Sequence, residues 1–360
     1  MSTRDGVGEQ IDTLREIFSQ PQRWNESLAA LEVAPELRRI EAMATQGTEW
    51  LFVGCGSSYY LSLAAAASFR YFGHPARAIP ASEILLYPAI TMPKGSNYLP
   101  VMISRSGLTS EVVRAAQFLE EERDIRTVAI TCTKGQPLEN ISTETIQLDF
   151  ADEKSTVMTR SFTSMLLALQ YLAASVASSG DFQRALRTLP SQAEPLLGHF
   201  APKLKSFVES RSFEDHVVLA QGPLFGIASE AMLKITECSS SYAQVFHTME
   251  FRHGPKSIVS PETLIVFLLS ESSYDAEVEV LEEMRSLGAS TLVIGNVLDE
   301  RARKASELSI EMLLTVPEYA RLAAYLLWGQ LYGTYTGLKK GLNPDNPRNL
   351  SRVVVLNDNN

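Results

Sequence analysis

Apolar residues fall along this chain in two rhythms. Over roughly the first 45 residues, positions such as Ile11, Leu14, Ile17 and Phe18 recur at the spacing of one helix face. At Trp50-Leu51-Phe52-Val53 the rhythm becomes a short unbroken apolar run ending in Gly54-Cys55-Gly56. That is the pattern of a strand covered on both faces and turning on glycine. An alanine-rich helix is predicted over Leu61–Tyr71, a strand around Ala76–Ile79 and another at Tyr98–Ile103. A helix over about Thr109–Glu122 and a strand at Thr127–Thr131 follow. A long helical stretch, about Ser161–Ser212, leads to a strand at Val217–Ala220 and a helix over Ile227–Glu237. The strand Thr263–Leu269, helix Ala276–Ser286, strand Thr291–Gly295 and helix Glu318–Leu338 complete the series, and a polar tail begins near Asn343. Strands alternating with helices predict an α/β fold with doubly wound parallel sheets.

The pattern repeats. A shift of 166 residues carries Gly56 onto Gly222, Ser104 onto Ser270, Ser106 onto Ser272 and Glu111 onto Glu277, and the offset slips by about two residues at the later strands. Two pseudo-repeated, flavodoxin-like subdomains are therefore expected, over residues 46–200 and 201–342. A helical segment (1–45) precedes them and a tail (343–360) follows.

Composition narrows the function. The chain is 45% hydrophobic and 21% charged, with a net charge of -10. That balance argues against nucleic acid, whose binding needs a basic face. The three cysteines, Cys55, Cys132 and Cys238, have no metal-type spacing; no metal or cofactor is expected. The polar start MSTRDGVGEQ is not a signal peptide. No apolar run approaches the about 20 residues that span a bilayer. The expected setting is cytoplasmic, without membrane contact.

Ser104-Arg105-Ser106-Gly107-Leu108-Thr109 closes an apolar strand and opens a helix. Hydroxyls, a flexible glycine and free helix amides converge there, and the helix dipole favours an anion. Ligands of open parallel sheets sit at this carboxyl end of the strands. Ser57 and Ser58, after the neighbouring strand, add donors from the side. One N-cap serine is ordinary; five hydroxyls on adjacent strand ends point to an anion site. In the second repeat Glu271 stands in place of Arg105 and Ser273 in place of Gly107. A carboxylate repels phosphate, so only the first copy is expected to bind it. The nucleotide motifs GxGxxG and GxxxxGK[ST] are both absent.

A second constellation is Glu237, closing Leu233-Lys234-Ile235-Thr236-Glu237, with His253 in Glu250-Phe251-Arg252-His253-Gly254-Pro255. A carboxylate suits proton transfer between C1 and C2 of an open-chain sugar, and a histidine suits ring opening. Of the five histidines, His74, His199 and His216 stand in isolated contexts, whereas His247 and His253 lie nearer this motif. Read alone, Glu237 also fits a solvated helix residue, and His253 a turn residue bonding to backbone.

Five segments, in order, resemble the sugar isomerase (SIS) domain family, specifically the tandem pair that forms the isomerase half of glucosamine-6-phosphate synthase. They are Cys55-Gly56-Ser57-Ser58-Tyr59, Ile103-Ser104-Arg105-Ser106-Gly107, Glu230-Ala231-Met232-Leu233-Lys234, Phe251-Arg252-His253-Gly254-Pro255 and Asn346-Pro347-Arg348-Asn349-Leu350. The similarity covers roughly residues 45 to 355. It implies phosphate-binding roles for Ser58, Ser104, Ser106 and Thr109, with Arg105 standing where the family often has glutamine and adding charge for phosphate. It further implies that Glu237 shuttles a proton, that Lys234 is a nearby active-site lysine, and that His253 opens the ring from the neighbouring subunit of a homodimer. Glu153, in Glu153-Lys154-Ser155-Thr156, matches an acidic loop residue near the substrate amine or hydroxyl. Thr156, Ser351 and Arg352 join the expected substrate-binding set.

Three departures shape the expected chemistry. No catalytic cysteine follows Met1 and only about 45 residues precede the first repeat, so no glutaminase part is expected. Leu108 replaces a common glutamate. Arg352 matches the family lysine that forms an imine with a ketose phosphate, and a guanidinium cannot form one. The expectation is a cofactor-free enzyme acting on a phosphorylated hexose or hexosamine, by aldose–ketose isomerisation or by deamination of an amino-sugar 6-phosphate. Cleavage of a fructosamine phosphate and aminotransferase-like chemistry are the alternatives. A phosphosugar sensor without catalysis is the competing class.

Overall fold

The structure, a computed structural model, describes residues 11–356. The start of the predicted N-terminal helical segment, before Ile11, lies outside these residues. Among the described residues ten strands form two sheets. The first holds β1 (Glu49–Gly54), β2 (Ala76–Pro80), β3 (Tyr98–Ile103), β4 (Val128–Thr131) and β5 (Glu144–Gln147). The second holds β6 (Asp215–Ala220), β7 (Tyr242–His247), β8 (Thr263–Leu268), β9 (Ser290–Gly295) and β10 (Leu308–Glu311). Their orders are β2-β1-β3-β4-β5 and β7-β6-β8-β9-β10, every pairing parallel. This is the flavodoxin order, used twice.

The repeat extends to backbone detail. Gly56 and Gly222 both take φ 53°, turning the chain out of the first strand of each sheet. That left-handed conformation is open to glycine at little cost. Central strands read as buried apolar runs, as expected. The edge strands β5, β7 and β10 escape a hydrophobic-run reading: Glu144-Thr145-Ile146-Gln147 and Leu308-Ser309-Ile310-Glu311 mix polar with apolar, and β7 is exposed at both ends and half-buried between. Sheet edges carry polar residues because one flank lacks a partner.

Three helices, α1 (Asp12–Phe18), α2 (Gln20–Val33) and α3 (Pro35–Met43), precede β1. Then α4 (Ser57–Tyr71) follows β1 and α5 (Ser110–Gln117) follows β3, running into a wide turn over Phe118–Glu122. The long helical stretch divides into α6 (Arg160–Val176) and α7 (Gly180–Ser210). In the second repeat α8 (Phe225–Ser239) follows β6, α9 (Tyr274–Ser286) follows β8, and α10 (Leu322–Lys339) closes the fold.

One continuous core joins the two sheets, from Trp50 and Phe52 through Phe162 and Leu166 on α6 to Val218, Val266 and Trp328. Two glycine contacts set how the halves meet. A Cβ at Gly226 of α8 would lie 2.8 Å from the Tyr60 carbonyl oxygen on α4. One at Gly333 of α10 would lie 2.5 Å from the Lys234 carbonyl oxygen on α8. Backbones approach this closely only where the Cβ is missing. α8 is thus pressed between α4 and α10, and its polar face meets the start of α4.

Candidate active site

Where α4, α5 and α8 converge, at the carboxyl ends of β1 and β3, lies a cavity of about 190 Å³. Ser57, Ser58, Arg105, Ser106, Thr109, Thr156, Glu237, Ser351 and Arg352 all line it. Residues up to 295 positions apart thus share one wall system. A larger surface cleft, about 800 Å³, lies between α7 and β10 around Pro195, His199 and Leu313. It holds none of the hydroxyl cluster and is set aside as the reaction site.

The loop from 104 to 109 is wound on its own hydroxyls. Gly107 N–H donates to Ser104 Oγ at 3.1 Å, Leu108 N–H donates to Ser106 Oγ at 3.2 Å, and Ser104 and Thr109 share a hydroxyl hydrogen bond of 3.1 Å. Gly107 takes φ 65°, and a Cβ there would meet Gln136 Cβ at 2.8 Å. Ser106 and Thr109 face the cavity while Ser104 supports them from behind. The N-terminus of α5 adds its dipole to the same point.

Arg105 is buried, and its donors are engaged. Nη1 reaches Glu153 and the Val157 carbonyl, each at 3.3 Å; Nη2 donates to the carbonyls of Thr156 at 3.0 Å and Arg352 at 2.9 Å. The side chain that the sequence suggests for phosphate lines the cavity and also ties three segments together. Glu153 lies behind the wall. Its Oε1 accepts from Thr159 N–H and hydroxyl, each at 2.6 Å, and its Oε2 from Ser161.

The opposite wall belongs to α8. Lys234 is fully buried, 3.2 Å from Glu230 and in contact with Glu237. Its Nζ also donates to Ser57 Oγ at 3.4 Å. Burial alone pulls an ammonium pKa down, but the two carboxylates outweigh it and Lys234 is raised. Glu230 is pushed up to about 8 by burial, against the pull of Lys234. Glu230 and Glu237 therefore share the buried ammonium of Lys234. Glu230 was quoted in the sequence only as a motif residue. The signal that marks it is its spacing, one turn before Lys234 and two before Glu237, on one helix face. Cys55 also lines the cavity, with its thiol pushed up to about 11 by burial, so it is held as the unreactive thiol.

His253 stands apart. It is exposed, just past a short 3-10 turn over Glu250–Arg252, and does not line the cavity. His247 stacks on Phe225 with centroids 3.8 Å apart. The tail crosses the cavity mouth: Ser110 N–H, at the first residue of α5, donates to the Val354 carbonyl at 3.2 Å. Leu356 N–H donates to Ser110 Oγ at 2.9 Å, and Arg352 Nη2 to Asp152 at 2.5 Å.

The corresponding loop of the second sheet is filled by the chain itself. Ser270 N–H and Oγ donate to Glu277 at 2.8 and 3.0 Å, and Glu271 pairs with Arg321. The amide and hydroxyl of Ser270 are thus already satisfied by a carboxylate of the same chain. Among the described residues no group of three His, Cys, Asp or Glu side chains is placed to hold a metal ion, and no helix is long and apolar enough to cross a membrane.

Comparison with known proteins adds three findings. The SIS domain family matches residues 45–175 and 214–330. A glutamine–fructose-6-phosphate aminotransferase (isomerizing) of Pyrobaculum aerophilum is 27% identical over 369 aligned positions, covering 99% of this chain and 59% of that one. The chain spans about three-fifths of the length of the curated relatives it matches. Among solved structures, glucosamine-6-phosphate deaminase from Thermotoga maritima is 27% identical with a TM-score of 0.74, covering 96% of this chain and 100% of that one. Tagatose-6-phosphate ketose/aldose isomerase from Escherichia coli has a TM-score of 0.85 at 20% identity, covering 97% and 96%, and supports the fold.

Proposed function

This chain belongs to the SIS domain family, and from that premise we propose that it is an enzyme moving a proton between C1 and C2 of an open-chain, 6-phosphorylated hexose or hexosamine. One observation carries the reading: the hydroxyl loop and Glu237 line the same cavity. The phosphate rests on Ser58 at the start of α4 and on Ser106 and Thr109 at the start of α5, with Ser104 holding the loop. The sugar then extends toward α8. There the Glu237 carboxylate, kept in place by Lys234, takes the C2 proton and returns it to C1.

With a hydroxyl at C2, this transfer converts aldose to ketose. With an amine at C2, the same transfer leaves an imine at C2 and a hydroxymethyl group at C1. Water adds to the imine and ammonia departs, leaving the ketose phosphate. Similarity to the Thermotoga maritima glucosamine-6-phosphate deaminase favours the amine case. Arg352, rather than a lysine, stands at the cavity and pairs with Asp152, which disfavours any route through an enzyme-bound imine. Ring opening falls to His253. Since that side chain is exposed and outside the cavity of its own chain, the reading places it in the site of a second copy, in a homodimer with shared sites.

The test is to incubate the purified protein with glucosamine 6-phosphate and with fructose 6-phosphate and to follow ammonia, ketose and aldose. Turnover of at least one hexose or hexosamine phosphate is expected. No turnover, with phosphosugar binding retained, favours the sensor.

A further inference from the structure

We infer that Glu16, on the first helix of the chain, is a positioning residue for the phosphate site, acting through the loop over residues 152–157. The inference rests on the phosphate reading above for its binding consequence, and on geometry alone for its structural one.

Glu16 lies outside both sheets and outside the cavity, yet it is buried with 3% exposure. Its Oε1 accepts from Lys154 N–H at 2.6 Å and Ser155 N–H at 3.4 Å, and its Oε2 accepts from the Ser155 hydroxyl. A carboxylate accepting two backbone amides and a hydroxyl fixes the backbone of that loop. The loop is what the site is tied to. Its Thr156 side chain lines the cavity, and its Thr156 and Val157 carbonyls receive Arg105. Arg105 in turn donates to the Arg352 carbonyl at 2.9 Å, holding the tail across the mouth.

A second set of bonds closes the same circuit. Thr156 N–H donates to the Asp345 carbonyl at 2.9 Å. The Asp345 carboxylate accepts from Asp12 N–H at 3.0 Å and from Thr13 N–H at 2.7 Å, capping the helix that carries Glu16. Phosphate loop, acidic loop, tail and first helix thus form one ring of hydrogen bonds. Burying Glu16 next to Glu153 has an electrostatic cost, and its pKa is raised by burial first and by Glu153 second. A purely structural core position would be filled more cheaply by an apolar side chain.

The experiment compares wild type, Glu16→Ala, Glu16→Gln and Ile17→Val. Ile17 is buried on the same helix, so its variant reports ordinary helix destabilisation. Hydrogen exchange is read first, without ligand. Glu16→Ala is expected to speed exchange at residues 154–156 and at the tail amide of Leu356 by about tenfold, the loss of one charge-assisted hydrogen bond or more. The β1 and β3 amides should stay unchanged. Glu16→Gln, which keeps one acceptor oxygen, should fall between. Ile17→Val should lower Tm without singling out these segments. Inorganic phosphate binding is read second, and Glu16→Ala is expected to bind about tenfold more weakly than wild type.

Exchange in Glu16→Ala that rises evenly, as in Ile17→Val, overturns the inference. So does unchanged phosphate affinity in Glu16→Ala. Wild-type protein that binds neither phosphate nor a sugar phosphate overturns the phosphate reading instead, while the exchange result still decides the role of Glu16.

Discussion

Ser57, at the first turn of α4, donates its hydroxyl hydrogen to Glu230 on α8 at 3.0 Å, across 173 residues of sequence. This bond joins the two repeats at the wall of the cavity. It also ties the hydroxyl side of the site to the acid–base side, because Glu230 shares Lys234 with Glu237. The remaining oxygen of Glu230, Oε2, makes no hydrogen bond among the described residues. A buried carboxylate with an idle oxygen is costly when charged and cheap when protonated.

That arrangement predicts a pH dependence. The pKa of Glu230 rises on folding from 4.5 to about 8. Between those values the unfolded chain has released its proton and the folded chain keeps it, so stability falls as pH rises through this window. Glu230→Gln removes the dependence. Thermal unfolding should show the variant little changed near pH 5 and more stable than wild type above pH 8, by about 1–4 kcal/mol. A variant less stable at every pH would mean that Glu230 is charged in the fold and needed by Lys234.

His216 should produce the opposite trend in acid. It is buried against Tyr332, with Nε2 3.0 Å from the hydroxyl, and burial lowers its pKa from 6.5 to about 4. Below about 6.5 the unfolded chain takes up a proton that the folded chain refuses until about 4, so stability is lost across that interval as pH falls. The loss is on the order of 3 kcal/mol. Denaturant titrations at pH 7 and pH 4.5 should show it in wild type and not in His216→Asn.

Ser106 faces the cavity and also holds the Leu108 amide. Ser106→Ala should raise KM for the phosphorylated substrate about tenfold, since a hydrogen bond to a charged group contributes roughly 1.5–3 kcal/mol. The kcat should move far less, because the loss falls on binding in ground and transition states alike. Steady-state kinetics separate the two.

Gly333 carries a load that its surroundings reveal only in three dimensions. A methyl there meets the Lys234 carbonyl at 2.5 Å and pushes α8 away from α10. Gly333→Ala should cost about 1–3 kcal/mol of stability and lower kcat, because α8 carries Glu237. Gly198→Ala is the control: nothing lies within 4 Å of a Cβ there, and alanine suits an exposed helix position. It should leave activity unchanged and hold or raise Tm.

Much of this fold is legible in the sequence. The buried runs at Trp50–Val53 and Thr263–Leu269 announce central parallel strands, and the 166-residue shift that carries Gly56 onto Gly222 announces the repeat, whose two glycines share a φ of 53°. Of the edge strands only β2 is legible; β5, β7 and β10 are not, because their mixed polarity resembles loop. Of the residues the sequence singles out, Ser106 and Thr109 of the hydroxyl loop line one cavity together with Glu237. Arg105 shows where sequence reasoning stops. A positive charge in an anion loop suggests a ligand contact, but which acceptors surround a guanidinium depends on segments 51 and 247 residues away. Glu16 was invisible for the same reason, as its partners lie across 138 residues of chain.

Glu237→Gln separates chemistry from binding, and it is best measured as turnover and affinity on one protein sample. Gln keeps the size of the side chain and its hydrogen bond to Lys234 while removing the base. The expected result is loss of hexosamine or hexose phosphate turnover by at least about a hundredfold, with phosphosugar affinity within a factor of about three of wild type. Turnover that survives the substitution, or affinity that disappears with it, would contradict proton transfer by Glu237 to a sugar anchored on the 104–109 loop.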